Sequence, residues 1–453
     1  MQIRIEGSLG EEAGIVLAAL QDNGHSAYLV GGCVRDALLD RPIADIDIAT
    51  SALPAEVMRV FPRTAPTGVK HGTVTVIMNE HTFEVTTFRR ESAYEKFRRP
   101  AKVEFISELR DDLLRRDFTM NAIALDRNGR LIDPFGGQAD IRKRIVRCVG
   151  EADARFQEDA LRMMRCLRFA ATYGFAIAKE TWAALLRHRD KLRFIAVERI
   201  RAELEKMIEG PDPFRAIELL RRSRLMEHTG IKLPQSVAAS LAWDAKRGNG
   251  NGCSSRLRSL QGPAAFADDP ALRWAALLAC CETDADAARG LLQTLTFAGS
   301  KTARITAALR FDARLRTEFA RAETRPAAAP EIRRIWLYAA LEFGRSAAED
   351  WLALREVEAP YADQAVSSGG GNMVAELGAA AANGRRWLNE MGAASVRELD
   401  VRGQDLLSLF ERPPGPWLGR LLELLLKKVA VESLPNEKEA LLNEAKRVMN
   451  DHE

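Results

Sequence analysis

The stretch AYLVGGCVRDALLDRPIADIDIAT, residues 27–50, predicts a strand, a glycine turn, a helix and a second strand in close succession. The apolar run at 27–30 ends in Gly31 and Gly32, and glycines let backbone N–H groups approach a ligand closely. A helix that begins there adds the positive end of its dipole, and Arg35 would add a charged donor. The pattern favours a phosphate-binding turn over a plain tight turn in which Arg35 only pairs with Asp36.

Two aspartates begin the second strand of this stretch. Residues two apart in a strand face the same side, so Asp45 and Asp47 would project together while Ile46 faces the core. Like charges that close require a cation, and hard oxygen ligands suit Mg²⁺. Two such ions can activate an attacking hydroxyl and neutralise a leaving pyrophosphate. Glu84, in the β-type run TFEVTTF, would complete the cluster from a neighbouring strand. The alternative is a solvated edge strand, a common setting for this pattern.

The texture of the chain changes near residue 150. Before it, β-type runs at 73–78 and 82–88 accompany a helical stretch at 54–61, and Asn128-Gly129 predicts a two-residue hairpin turn. After it, helical periodicity persists, as at 159–175, 198–208 and 418–434. Glycine- and proline-rich segments predict linkers at 246–255, 323–331 and 367–372.

Size and charge limit the classes of protein that this chain can represent. Its 453 residues are too many for one core, so several domains are expected. The net charge of +3 excludes a wholly basic nucleic-acid binder, but a local basic face would still serve RNA. No secretory signal or membrane span is expected, and the six cysteines lack zinc spacings. These features predict a cytoplasmic protein with reduced thiols.

The segment GGCVRDALLDRPIADIDIAT resembles the nucleotidyltransferase signature of the polymerase-β superfamily, in the form found in class II CCA-adding enzymes and bacterial poly(A) polymerases. The resemblance implies that Asp45 and Asp47 are Mg²⁺ ligands and that Glu84 is an accessory catalytic carboxylate. The implied fold is α+β, with a small mixed-sheet head followed by an all-helical neck, body and tail. We place these at residues 1–150, 151–225, 226–345 and 346–453.

The string RRDFTMNA at 115–122 resembles the ribose-recognising motif of the same family. The resemblance makes Asp117 the group that holds the sugar hydroxyls, with Arg116 and Asn121 as phosphate and sugar partners. A carboxylate that accepts from a 2′-hydroxyl would separate ribonucleotides from deoxyribonucleotides. The alternative is that the two arginines only end a helix, where cations suit the dipole.

The string EDALR at 158–162 would place Asp159 and Arg162 on one face of a helix. Cytosine and adenine each offer an amino donor beside a ring-nitrogen acceptor, which a carboxylate and a guanidinium can match, whereas uracil and guanine present the reverse order. A surface ion pair is the alternative. In the family that the chain resembles, this motif selects CTP and then ATP, which implies base-reading roles for both residues, with Glu158 orienting Arg162. We add Gly32, Arg165 and Arg168 to the expected nucleotide-binding residues.

The resemblance is close from about residue 26 to 230 and returns at 415–445, which looks like the tail of Firmicute-type enzymes. It also implies a hinge at 133–137 and a supporting helix at 197–204. Basic residues that are expected to contact tRNA phosphates are Arg221, Arg222, Arg224, Lys427 and Lys428.

The expected function is therefore addition and repair of the CCA end of tRNA with CTP and ATP. An A-adding enzyme, a bacterial poly(A) polymerase and a catalytically inactive RNA-binding relative are the alternatives. No membrane partner is expected, and dimerisation is left open.

Overall fold

The structure, a computed structural model, divides into two compact units, residues 1–231 and 232–453. It describes residues 3–95, 99–242, 269–321, 327–362 and 371–450. The predicted linker at 246–255 lies outside the described residues, as do 323–326 and 367–370 of the other two. Where the chain resumes, helices begin at Ala329 and Gly371, so the ends of those two linker predictions were wrong. Pro330 suits the first turn of a helix because it needs no N–H partner there.

The first unit contains strands β1 Ala27–Val30, β2 Asp47–Thr50, β3 Thr64–Gly68, β4 Thr73–Ile77, β5 Thr82–Thr87, β6 Arg89–Glu95, β7 Arg99–Phe105, β8 Ala124–Leu125, β9 Leu131–Ile132, β10 Ile145–Val146 and β11 Ala176–Ile177. Its helices are α1 Gly7–Asp22, α2 Gly32–Leu38, α3 Pro54–Val60, α4 Leu109–Leu114, α5 Gly137–Lys143, α6 Ala152–Glu158, α7 Leu161–Tyr173, α8 Lys179–His188, α9 Val197–Ile208 and α10 Pro213–Ser223.

Seven strands form one mixed sheet in the order β3-β4-β5-β2-β1-β8-β9. Strand β2 runs parallel to β5 and antiparallel to β1, so the mixed-sheet prediction is confirmed. The strand is shorter than expected, because it begins at Asp47 and Asp45 precedes it. The alternation nevertheless extends back to Asp45: both aspartates are exposed, and Ile46 between them is buried.

The turn between β8 and β9 differs from the predicted two-residue type. Leu125 pairs with Leu131, and the Asp126 N–H donates to the Arg130 carbonyl at 3.0 Å, which leaves a three-residue loop. Within it only Gly129 has a positive φ, 78°, as in a type I turn followed by a glycine bulge. The Asp126 carboxylate explains this choice, since it accepts from the backbone N–H groups of Asn128 and Arg130 at 2.9 and 2.8 Å.

Beyond residue 151 the described chain is helical apart from the two-residue strand β11, which pairs with β10 in parallel. Helices of the second unit are α11 Gln235–Leu241, α12 Pro270–Cys280, α13 Ala285–Thr294, α14 Gly299–Arg321, α15 Ala329–Phe343, α16 Arg345–Ala362, α17 Gly371–Glu390, α18 Gly403–Phe410, α19 Pro416–Ala430 and α20 Lys438–Asn450. A buried aromatic group formed by Phe311, Trp336 and Trp351 packs α14, α15 and α16 together.

None of the described helices is both long enough and apolar enough to cross a bilayer.

The 133–137 segment, predicted as a hinge, forms a capped turn. The carboxylate of Asp133 accepts from the N–H groups of Gly137 and Gln138 at 2.7 and 2.9 Å, which satisfies the first turn of α5. Gly137 packs tightly: a Cβ there would lie 2.2 Å from the Thr119 carbonyl oxygen.

We therefore expect Gly137→Ala to lower the free energy of unfolding by about 3 kcal/mol, because backbone at that distance must shift. Gly136→Ala is the matched control. Gly136 has a φ of 75° but open space around it, so only the left-handed backbone is penalised, by about 1 kcal/mol. Urea denaturation of both variants measures the difference, and equal losses would contradict the packing argument.

Candidate active site

A cavity of about 490 Å³ opens in the first unit between the β1–α2 turn, the start of β2, the end of α4 and helix α7. Eleven of the twelve predicted site residues line it: Gly32, Arg35, Asp45, Asp47, Arg116, Asp117, Asn121, Asp159, Arg162, Arg165 and Arg168. Glu84 instead lines a second cavity of about 240 Å³, which shares Asp47, Arg115 and Arg116 with the first. The seven arginines around the larger cavity outnumber its four aspartates, which suits a polyanionic ligand.

The glycine turn is held in a conformation that requires glycine. Gly31 has φ 78° and ψ −127°, and a Cβ on it would lie 2.9 Å from Nη1 of Arg116 and 3.6 Å from Oδ2 of Asp47. The backbone at this turn thus lies directly beside one predicted metal ligand and one predicted phosphate partner.

The parallel pairing of β2 with β5 brings two predicted carboxylates side by side. Asp47 is the register partner of Glu84, and the neighbours of Glu84 on β5, Phe83 and Val85, are fully buried on the opposite face. Although the Asp47 side chain is exposed to the cavity, the surrounding protein partly desolvates it and raises its pKa; the charges of Asp45 and Glu84 raise it further, and Arg116 opposes them. Three carboxylates therefore lie together on the outer face of the sheet at the start of β2, the cluster that the sequence predicted.

These carboxylates could bind a divalent cation only together with ligands from the substrate. Among the described residues, no group of three or more His, Cys, Asp or Glu side chains is placed to hold a metal ion by itself. Mg²⁺ is commonly bound by one or two carboxylates together with substrate phosphates. Asp45 and Asp47, facing an arginine-lined cavity, provide that kind of incomplete site.

Arg35 lines the cavity but already has protein partners. Its guanidinium is buried, pairs with Asp36 at 2.6 Å and donates to Oδ1 of Asn121 at 2.6 Å. It also lies over the ring of Tyr173, 4.7 Å from the ring centroid. Because these contacts fix the guanidinium plane, Arg35 meets a ligand in one defined orientation.

Asp117 is the most heavily bonded member of the predicted ribose motif. Its Oδ1 accepts from the Phe118 N–H at 2.8 Å and from Nδ2 of Asn121 at 2.9 Å, while Oδ2 accepts from two nitrogens of Arg165 at 2.8 and 2.6 Å. Burial alone would raise the pKa of Asp117, but Arg165 and Asn121 outweigh it and lower the pKa to about 2. The carboxylate therefore links the head to helix α7.

Asp159 and Arg162 both line the cavity, but they do not share a helix face as predicted. Asp159 lies between α6 and α7 with extended backbone, φ −137° and ψ 105°. Its side chain accepts from Arg199 at 2.7 Å and from the Leu161 N–H at 3.1 Å. The prediction erred because the helical periodicity of the sequence continues across this break.

Arg162 is buried in the first turn of α7. Its Nη1 donates to Oε2 of Glu158 at 2.5 Å, the pair expected from the sequence, and its Nη2 donates to the Arg115 carbonyl at 2.7 Å. Arg155 donates to the adjacent Leu114 carbonyl at 2.7 Å. Both arginines thus satisfy carbonyls at the C-terminal end of α4.

Several residues that support the cavity were missed or given too small a role. On α9, Glu203 accepts from Arg168 at 2.6 Å, and Arg199 pairs with Asp159. On α4, the buried Asp112 accepts from Arg115 and Arg116. The motif resemblance marked the α9 stretch only as a support. For Asp112 the available signal was an acidic residue three and four positions before two arginines.

The basic residues expected to contact tRNA have local partners in the structure. Arg221 pairs with Glu218 at 2.6 Å, Arg224 with Glu227 at 2.5 Å, and Lys428 with Glu444. Lys427 lies over the ring of Tyr338, and Arg222 is on the exposed side of α10. RNA contacts of these five residues stay a prediction: Arg221, Arg222, Arg224, Lys427 and Lys428.

We expect Asp117→Asn to lower the free energy of unfolding by about 2 kcal/mol at neutral pH, because it weakens a buried, charge-assisted network. The folded-state pKa of about 2 lies below the unfolded value of about 3.9, so the contribution is present above about pH 4 and lost as pH falls toward 2. Denaturant titrations between about pH 3 and pH 7 should show the wild-type advantage shrinking on acidification.

Asp22→Asn serves as its control. Asp22 is exposed and lies 3.9 Å from Arg127, so its removal should change stability by less than about 0.5 kcal/mol at any pH. A pH-independent loss in Asp117→Asn would contradict the assignment of this ion pair.

Comparison with known proteins matches three parts of the chain to protein families. Residues 27–147 match the model described as "Poly A polymerase head domain", and residues 174–229 the one described as "Probable RNA and SrmB- binding site of polymerase A". Residues 384–445 match a tRNA nucleotidyltransferase domain 2. The first of these spans contains the glycine turn, the three carboxylates and the ribose motif.

Two curated relatives and one solved structure match the chain over nearly its whole length. A CCA-adding enzyme of Bacillus cytotoxicus is 37% identical over 95% of this chain and 96% of its own, and one of Geobacillus sp. is 38% identical over 94% of each. The crystal structure of the Bacillus stearothermophilus CCA-adding enzyme in complex with CTP is 33% identical, covers 99% of both chains and superposes with a TM-score of 0.74. With this identity over nearly its full length, the chain belongs to the family of CCA-adding enzymes.

Proposed function

We propose that this protein adds and repairs the 3′-terminal CCA of tRNA in the cytoplasm, using CTP and ATP and releasing pyrophosphate. The proposal depends on one observation: a glycine turn, seven arginines and the carboxylates Asp45 and Asp47 line a single cavity. The chain also belongs to the family of CCA-adding enzymes. The described cysteines are all buried, in line with the reduced thiols expected of a cytoplasmic protein.

The cavity has the size and charge of a nucleotide site. Its volume of about 490 Å³ lies within the range of small-molecule pockets, and its excess of arginines complements a triphosphate. Arg35 and Arg116 flank the glycine turn and would bind phosphate oxygens, whereas Asp117 and Asn121 would bind the ribose hydroxyls. Arg165 and Arg168, fixed by carboxylates on their other side, would face the nucleotide from α7.

The reaction that we propose is attack of the terminal tRNA hydroxyl on the α-phosphorus, with the bond to pyrophosphate breaking. Asp45 and Asp47 would hold two divalent ions, which we propose to be Mg²⁺. When bound, the two ions would activate the attacking hydroxyl and neutralise the leaving pyrophosphate. Glu84 pairs in register with Asp47 and lines the neighbouring cavity. We propose that it is the accessory catalytic carboxylate and that this second cavity receives the tRNA end.

Base selection is proposed to depend on Asp159 and Arg162, one accepting from the base amino group and the other donating to the ring nitrogen. Arg199 donates to Asp159, and Glu158 accepts from Arg162, so each proposed base reader is oriented by one protein partner. The four-part division into head, neck, body and tail remains our proposal for how these tasks are distributed, with tRNA held by the helical parts.

The decisive experiment is incorporation of labelled nucleotides by the purified protein with Mg²⁺. Substrates are tRNA ending at the discriminator base, at C and at CC, each with the four nucleoside triphosphates. Two cytidines followed by one adenosine are expected. Adenosine only on the CC-ended tRNA would indicate an A-adding enzyme, long adenosine tails a poly(A) polymerase, and no incorporation an RNA-binding relative.

Asp47→Asn should reduce incorporation at least about 10³-fold, because the electrostatic stabilisation supplied through the ions is worth several kcal/mol. Asp22→Asn, an exposed aspartate outside both cavities, should retain wild-type rates. Full activity of Asp47→Asn would show that the Asp47 carboxylate is not needed for catalysis and would contradict the proposed metal site.

Asp159→Ala should reduce discrimination against UTP relative to CTP by about 10–100-fold, the value of one good two-point base contact. Asp153→Ala is a matched control, since Asp153 lies on α6 and pairs with Arg187 at 2.7 Å outside the cavity lining. Ratios of kcat/KM for the two nucleotides measure the effect. Unchanged selectivity in Asp159→Ala would assign base reading to other residues.

A further inference from the structure

Asp112 is a buried carboxylate of α4 that has no part in the predicted site. Its side chain is 0% exposed, and its Oδ1 accepts from Nε and Nη2 of Arg115 at 3.0 and 2.9 Å. Its Oδ2 accepts from Nη2 of Arg116 at 3.4 Å. One carboxylate thus faces two guanidinium groups, and the cluster keeps a net positive charge.

Both arginines reach the cavities. Arg115 and Arg116 line the larger cavity and the smaller one beside it. The Nη1 of Arg116 lies against the Gly31 turn, near Oδ2 of Asp47. The Arg116 guanidinium therefore extends from Asp112 on one edge to the glycine turn on the other.

Asp112 is the carboxylate that accepts from Arg116, at 3.4 Å, and its charge also offsets the burial of that guanidinium. Burial lowers the pKa of Arg116, Asp112 counteracts this more strongly than Asp47 does, and Arg115 adds to the lowering. Burial would raise the pKa of Asp112 itself, but Arg115 and Arg116 hold it below the usual range, so the carboxylate is ionised.

Without the Asp112 charge, the largely buried Arg116 would lie beside the like charge of Arg115, with Asp47 as an acidic neighbour. Pairing with Asp47 would then take both groups out of use, because the guanidinium would turn from the phosphates and the carboxylate would lose a site for the ions. Asp112 prevents that pairing by holding Nη2 of Arg116 on the far side.

The same carboxylate joins the cavity to the hairpin of β6 and β7. Oδ1 of Asp112 accepts from the backbone N–H of Arg89, the first residue of β6, at 3.3 Å. The adjacent Asp111 pairs separately with the side chain of Arg90. Asp112 thus contacts both the cavity arginines and the backbone of the hairpin, whereas Asp111 contacts an exposed side chain of the hairpin.

We propose that Asp112 is a positioning residue that holds the Arg116 guanidinium between the Gly31 turn and Asp47, where it receives the nucleotide triphosphate. The inference rests on the proposed function for the identity of the nucleotide. It adds a residue outside the recognised motifs to the machinery that binds this nucleotide.

The test is a double-mutant cycle on CTP binding, read by isothermal titration calorimetry of the full-length protein with Mg²⁺ and no tRNA, so that no turnover occurs. Asp112→Asn should weaken CTP binding about tenfold in the wild-type background. In an Arg116→Gln background the same change should weaken it by less than about twofold, because the group that it positions is gone. Additive losses would show that Asp112 does not act through Arg116 and would overturn the proposal.

Two control variants separate positioning from stability. Asp350→Asn removes a buried carboxylate that pairs with Arg304 at 2.7 Å in the second unit, and it should lower the melting temperature without changing CTP affinity. Asp111→Asn removes only the hairpin contact and should leave CTP affinity within about twofold. If either control loses affinity as Asp112→Asn does, the effect is general destabilisation and the proposal fails.

If Asp112→Asn does not fold, Asp112→Glu replaces it in the cycle. That variant keeps the charge but displaces it by one methylene, so a loss of about threefold that vanishes with Arg116→Gln is expected. Wild-type affinity in Asp112→Glu, or an additive loss, would overturn the proposal. Incorporation assays on the same proteins keep the two proposals apart: a wild type that binds CTP but adds nothing to tRNA refutes the function and leaves the binding cycle to decide on Asp112.

Discussion

The repulsion among the carboxylates at the start of strand β2 is the interaction on which the arrangement of the cavity in the first unit depends. Asp47 lies in register with Glu84 and two residues after Asp45, and the charges of both raise the pKa of Asp47 beyond the effect of desolvation. Arg116, which extends from the end of α4 toward Asp47, opposes the repulsion among these carboxylates. A carboxylate cluster beside an arginine-lined cavity favours binding a cation and a polyanion together, because the cation offsets the repulsion among the carboxylates and the polyanion offsets that among the arginines.

The arginines around the cavity show the complementary arrangement. Arg162, Arg165 and Arg168 extend from one helix, and each has its own carboxylate partner, on α6, in the head and on α9 respectively. Buried ion pairs of this sort add little net stability, since desolvation offsets most of the attraction. Their effect here is orientation: a guanidinium held along one edge presents its remaining edge in a fixed direction.

The sequence predicted those parts of the site that depend on local pattern. Alternation placed Asp47 and Glu84 on the outer face of the sheet, and consecutive glycines marked the turn before α2. Contacts between residues distant in sequence could not be predicted this way. The pairing of Asp159 with Arg199 spans 40 residues, and nothing near either residue signals it. The hairpin loop was misjudged for a related reason, since the Asp126 side chain, and not Asn128-Gly129 alone, selects its length.

The break at Asp159 has a consequence for a site proposed to accept both a pyrimidine and a purine. On a single helix, the spacing between an acceptor and a donor three residues later would be set by the helical rise. Here Asp159 is outside the helix and is held by Arg199, whereas Arg162 lies within α7 and is held by Glu158. Asp159 also accepts from the Leu161 N–H, the first of α7, so its side chain is tied to both α7 and α9, whereas Arg162 is held by Glu158 of α6. The spacing of the proposed acceptor and donor is therefore set by the packing of α9 on α7 and by the extended backbone at Asp159, and not by the rise of a single helix.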